Sequence, residues 1–174
     1  VSGITTKYTK FPNFDWACCN IDKLKQNFNL KDYIILFPFC SPHLSLKRWP
    51  YYNELIQILK KKYNEKYKIL IAPGPQEIKE SKNFDVEIIM NNKEVINISE
   101  LASLIKHSSF VVANDTGPAH IAAHLGVKGL ALFGNHTSAY KVSIEREKFK
   151  SIQVADLKKL TPEKVSEKIF ENLD

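Results

Sequence analysis

Arginine, cysteine, glycine and long apolar runs are all scarce in this chain of 174 residues, and each scarcity closes a route. The three cysteines, Cys18, Cys19 and Cys40, are odd in number, and two are adjacent. Adjacent cysteines have poor geometry for a structural disulfide, so a reducing, cytoplasmic setting is expected. No apolar run approaches the roughly 20 residues a membrane helix needs, and no basic start followed by a hydrophobic core marks an export signal. The six glycines form no Gly-x-Gly-x-x-Gly after the first strand and no Gly-x-x-x-x-Gly-Lys-Ser/Thr loop, which weakens dehydrogenase and ATPase readings. Arg48 and Arg146 are the only arginines, so the net charge of +6 is a lysine charge. Such a balance suits an anionic partner, such as a nucleotide phosphate, an acidic membrane surface touched peripherally, or nucleic acid. Nucleic acid has charge alone in its favour, with no reading motif, and is not expected as a partner. The densest cluster, Lys60 to Lys68, falls where a helix ends before a strand, and there lysines favour the helix dipole and solubility. Beginning at Val1 rather than Met, the chain reads as a piece of a longer protein.

What the chain does have is alternation. Short apolar runs at Tyr33 to Pro38, Lys68 to Ala72, Val86 to Met90, Phe110 to Ala113, Gly129 to Phe133 and Ser151 to Val154 read as buried strands. Helical patterns fill the gaps: Pro50 to Tyr63 with a stripe of Tyr51, Leu55, Ile58 and Leu59, a helix capped by Ser99 through Lys106, and a last helix opened by Thr161-Pro162. The fold class is therefore α/β, a Rossmann-like doubly wound parallel sheet of about six strands, ordered 3-2-1-4-5-6. Residues 33–174 make this domain, and residues 1–32 read as a linker or interdomain segment with a short helix near Ile21 to Phe28.

In that order the first and fourth strands flank the topological switch point, where ligands bind at the carboxyl ends. The loops leaving those strands hold the least ordinary residues, Phe39 to Trp49 and Asn114 to His120. In the second, strand runs straight into helix, with Thr116 or Asp115 able to cap, Gly117 permitting close backbone approach and Pro118 in the first turn. Free N–H groups at such a helix start suit phosphate. In the first, Lys47 can reach a diphosphate as a point charge, with Ser41 adding a hydrogen bond; the alternative is a solvated lysine beside a buried tryptophan. Glu77, beyond the second strand, is placed to accept from ribose hydroxyls, or else serves as the third residue of a helix starting at Pro75. His120 and His124 are four apart, the spacing of a zinc pair, but no third ligand is evident and no metal is expected. His120 is read toward phosphate or sugar, and His124 as surface or packing.

Asn114-Asp-Thr-Gly-Pro-Ala-His-Ile-Ala-Ala-His-Leu-Gly126 followed by Leu130-Ala-Leu-Phe-Gly134, with Lys47-Arg-Trp-Pro50 and Gly74-Pro-Gln-Glu77, resembles the family 9 glycosyltransferases, typified by ADP-heptose:lipopolysaccharide heptosyltransferases. The resemblance spans roughly residues 33 to 173, the C-terminal, nucleotide-sugar-binding half of a two-domain GT-B enzyme. It implies inverting, metal-independent transfer of a heptose-like sugar from ADP-heptose or another nucleotide diphosphate sugar, without a cofactor, to lipopolysaccharide or another envelope glycan. It further implies Ser41, Lys47, Thr116 and Gly117 at the donor diphosphate, Glu77 at the ribose, and Asp115 and His120 at the sugar. The general base and the lipid-linked acceptor would belong to the N-terminal domain, so this chain alone is expected to bind a donor and transfer nothing. Work would be done in the cytoplasm or at the cytoplasmic face of the inner membrane. Three positions depart from the family pattern: Asn135-His136 stands where Pro-Thr is common, and Phe39 follows Pro38 in place of Gly. A non-catalytic nucleotide- or anion-binding module on the same fold is the alternative.

Overall fold

In a computed structural model that describes residues 12–173, six strands form one parallel sheet. They are β1 (Tyr33–Phe37), β2 (Lys68–Ile71), β3 (Glu87–Ile88), β4 (Phe110–Asn114), β5 (Gly129–Phe133) and β6 (Phe149–Gln153). Their order, β3-β2-β1-β4-β5-β6, is the doubly wound order expected from the sequence. β1, β4 and β5 are buried along their whole length, which is why they read as unbroken apolar runs rather than as an alternation.

Six α-helices flank the sheet: α1 (Asp22–Asn27), α2 (Tyr52–Tyr63), α3 (Ile78–Ser81), α4 (Ile98–Lys106), α5 (Gly117–His124) and α6 (Pro162–Leu173). Because successive strand residues point to opposite faces, the core has two halves. Ile34, Leu36, Val112, Leu130 and Leu132 pack with α2 and α6, and Ile35, Phe37, Val111, Ala113 and Phe133 with α1, α4 and α5. α2 turns Tyr52, Leu55, Ile56, Leu59 and Tyr63 inward, a helical stripe.

Several boundaries differ from the sequence reading, each for a local reason. β3 shrinks to two residues, because the chain turns at Asn92 and Lys93, both at positive φ, and pairs with β2 on one side only. β6 starts earlier, at Phe149, whose ring occupies the place of a Gly129 side chain; a Cβ there would lie 2.5 Å from it. Ser99 does not cap α4. Asn97 does, accepting from the Ser99 and Glu100 N–H groups at 2.9 Å, while the Glu100 carboxylate accepts from the Asn97 N–H. Residues 21–30, inside the segment read as linker or interdomain, put Ile21, Leu24 and Leu30 into the core, and Cys19 exchanges backbone hydrogen bonds with the Ser103 hydroxyl. Residues 1–11 of that segment lie outside the described residues.

Asn114, at the end of β4, ties the switch point together. Its fully buried side chain donates to the Pro38 carbonyl at 2.9 Å and accepts from the Trp49 N–H at 3.2 Å and the Tyr52 hydroxyl at 3.3 Å. Trp49, itself buried, donates its indole N–H to the Leu160 carbonyl at 2.8 Å, so the loop after β1 is anchored at both ends. Replacing Asn114 strands several buried polar groups, each costing about 1–3 kcal/mol. Asn114→Ala is expected to lower unfolding free energy by about 2–4 kcal/mol in urea titrations, and a change under about 0.5 kcal/mol would show that the clasp is not structural.

Candidate functional site

The loops leaving β1, β2 and β4 enclose a pocket of about 480 Å³, within the usual range for small-molecule sites. Ser41, Lys47, Glu77, Asp115, Thr116 and Gly117 all line it, brought together from three loops by the strand order. His120 is one helical turn further on and reaches the site through Asp115, with Nε2 3.7 Å from Asp115 Oδ1. His124 points elsewhere: its ring packs at a tilt against Phe14 and meets Arg146, so the two histidines do not converge.

At the start of α5, Thr116 takes the N-cap position with extended backbone, yet its hydroxyl donates back to the Asn114 carbonyl. Asp115 does not cap either, because its carboxylate is engaged with Lys47 and the histidines. The expected side-chain cap is therefore absent, and among the described residues the Thr116 and Gly117 N–H groups find no protein acceptor. A Cβ built on Gly117 would meet no protein atom within 4 Å, so the backbone here faces open space. The combination leaves partial positive charge at the pocket wall.

Asp115 is the electrostatic centre. Its side chain is 3% exposed and Oδ2 lies 2.7 Å from Lys47 Nζ, at the end of a 3-10 turn (Pro42–Lys47), and 3.1 Å from His136 Nε2. Burial alone would raise its pKa, but the contacts from His120, Lys47 and His136 outweigh that and hold the carboxyl well below the usual carboxylate range. Glu77 is folded back on its own turn, Oε2 accepting from the Gly74 N–H at 2.7 Å. Burial pushes its carboxyl upward, the Gly74 N–H opposes this, and Glu80 and Arg48 add smaller effects of opposite sign. It precedes α3 rather than sitting third in a helix from Pro75, so its carboxylate is set by the turn. Ser41 opens the 3-10 turn without a side-chain cap bond.

Sequence reasoning did not place His136 in the site. It lies on the loop after β5, beside β4, and the same strand order that selected the other loops put it there. The apolar side of the pocket, Phe37, Ala72, Val95, Ile96 and Leu101, also went unnamed, because it comes partly from the irregular stretch before α4.

Residues 8–171 match the sequence profile described as glycosyltransferase family 9 (heptosyltransferase). The chain belongs to that family. The match runs into the segment ahead of β1, in keeping with the packing of residues 21–30 on the core. Among solved structures, the E. coli heptosyltransferase WaaC with ADP-2-deoxy-2-fluoro heptose is 20% identical with a TM-score of 0.70, over 92% of this chain and 49% of that one. A glycosyl transferase family 9 protein from Veillonella parvula is 17% identical with a TM-score of 0.73, over 90% and 52%. A UDP-GlcNAc 2-epimerase from Methanocaldococcus jannaschii, in complex with UDP-GlcNAc and UDP, is 18% identical with a TM-score of 0.63, over 95% and 45%. The chain thus spans about half the length of the structures it resembles. No curated protein matches it by sequence. Among the described residues no helix is long and apolar enough to cross a membrane.

Since the folded carboxyl of Asp115 titrates below its unfolded value near 3.9, its ionisation supports the fold at all pH above about 4 and ceases to do so as pH falls toward the folded value. The stability gap between the parent chain and Asp115→Asn, measured by urea unfolding, should therefore be wider at pH 7 than at pH 3. An unchanged gap would remove the ion-pair network as its source.

Proposed function

We propose that this chain is the donor-binding half of an inverting glycosyltransferase that transfers a heptose-like sugar from a nucleotide diphosphate sugar to an envelope glycan such as lipopolysaccharide. One observation carries the reading: the two N–H groups at the start of α5 that find no acceptor among the described residues belong to residues lining the same pocket as Lys47. A sugar–phosphate bond breaks with negative charge growing on the diphosphate, and fixed dipoles beside a lysine stabilise that charge without reorganising. Lys47 carries three donors, so it can keep Asp115 and still meet phosphate. Ser41 adds a hydroxyl at the same wall.

Roles follow from position. Glu77 has one oxygen committed to Gly74 and one left for a ribose hydroxyl. The apolar wall of Phe37, Val95, Ile96 and Leu101 suits a flat nucleobase. Asp115 and His120 stand where α5 meets the diphosphate, and there they would contact the donor sugar. WaaC structures with ADP and with an ADP-heptose analogue support an adenine nucleotide, and the epimerase complex with UDP makes uridine the comparison to run. In this reading lysine and helix dipole do the work of a divalent cation, and no cofactor takes part.

The general base is assigned to an acceptor-binding domain. Asp115 is held by Lys47 and His136, which keep its carboxyl well below the usual carboxylate range and make it a weak base, while Glu77 is tied to its own turn through Gly74 and keeps its other oxygen for the ribose. The same fact supports the second reading, a nucleotide-binding module without transfer. The acceptor would reach the enzyme at the cytoplasmic face of the inner membrane, helped by the lysine-rich surface.

Calorimetry of the chain with ADP, UDP and their sugars tests the donor site. ADP binding is expected, unaffected by EDTA, and no binding at millimolar ligand would defeat the reading. Lys47→Ala should weaken ADP binding by about ten- to a hundredfold and the exposed Lys61→Ala by less than about twofold; equal losses would take Lys47 out of the site. Gly117→Ala should leave the melting temperature unchanged yet lower ADP affinity, since its methyl enters open space where phosphate would lie. Unaltered affinity would place the phosphate elsewhere.

A further inference from the structure

Asp115 has more partners than its own helix supplies, and one of them stands outside the pocket. His136 does not line the cavity; it approaches the carboxylate from behind, on the loop after β5, and shares Oδ2 with Lys47. Its ring lies nearly parallel to Phe133, at 15° and 6.3 Å between centroids. Gly134 packs beside it, a Cβ there standing 3.4 Å from Nδ1. Among the described residues Nδ1 is buried without a partner. A neutral imidazole carries one proton, and with Nε2 3.1 Å from a carboxylate oxygen and Nδ1 facing no acceptor, that proton belongs on Nε2.

We propose that His136 is a positioning residue of the donor site: its Nε2–H holds Asp115 Oδ2, so that Lys47 divides its donors between this carboxylate and the donor diphosphate. This rests on the donor-binding reading above. A buried carboxylate with too few donors is costly, and it draws whatever cation is nearest into tight contact. Without His136, Lys47 is the one partner left on Oδ2 among the described residues, and the ammonium, already 2.7 Å away, is held there more strongly and turns less readily to the pocket. His136 therefore acts through Lys47 on the phosphates and leaves the nucleobase end of the site alone.

ADP and AMP separate this role from simple support of the loop, because they share base and ribose and differ in one phosphate. His136→Leu should weaken ADP binding by about tenfold and AMP binding by less than about twofold. His136→Gln, whose amide N–H reaches a similar point without titrating, should recover ADP binding to within about threefold of the parent chain. Equal losses for both ligands, or no recovery by glutamine, would overturn the proposal. Imidazole 15N NMR at pH 8 reads the tautomer with no ligand present: a proton on Nε2 is expected, and a proton on Nδ1 would overturn it. If the parent chain bound neither nucleotide, the donor reading would fall and the Lys47 step with it. If nucleotide bound while Nδ1 carried the proton, His136 alone would be removed.

Discussion

A carboxylate with 3% of its side chain exposed cannot remain ionised unless donors surround it, and the site is organised around that requirement at Asp115. The donors come from three separate parts of the fold: Lys47 from the loop after β1, His120 from α5 itself and His136 from the loop after β5. Only a sheet with β1, β4 and β5 side by side brings those loops together. Asn114, one residue earlier, ties the end of β4 to the loop after β1 through the Pro38 carbonyl and the Trp49 N–H, so charge and hydrogen bonding both join that loop to β4.

Because Asp115 is occupied by these partners, it is not available to cap α5, and the Thr116 hydroxyl has turned back on β4. Among the described residues the N–H groups at the helix start have no protein acceptor, and they share a pocket with a lysine and an apolar wall. Fixed dipoles, a cation and an apolar surface are parts that an anionic group attached to a flat base can use. A chain that belongs to glycosyltransferase family 9 and spans about half the length of its structural neighbours fits half of such a site.

Much of this was legible in the residues, for identifiable reasons. β1, β4 and β5 announce themselves because strands buried on both faces are unbroken apolar runs, and from them the order of the sheet and the switch point follow. The pocket residues on the loops after β1, β2 and β4 were legible because chemistry-bearing side chains at strand ends are conspicuous. His136 was not, since its contact is with Asp115, 21 residues away, and no local pattern encodes a second-layer hydrogen bond. The apolar wall at Val95, Ile96 and Leu101 escaped because the first two lie in an irregular stretch and Leu101 on the partly buried flank of α4. Ser99 reads as the cap of α4 from the sequence, whereas the reciprocal contact with Glu100 makes Asn97, two residues earlier, the cap.

The central claim is that the uncapped start of α5 receives the donor diphosphate. Backbone 1H–15N chemical shifts during titration with ADP, and separately with inorganic pyrophosphate, test it at the atoms concerned. The largest shifts should fall on the Thr116 and Gly117 amides with both ligands. Binding that left those two amides unmoved, with its largest shifts around His124 and Arg146, would contradict the claim.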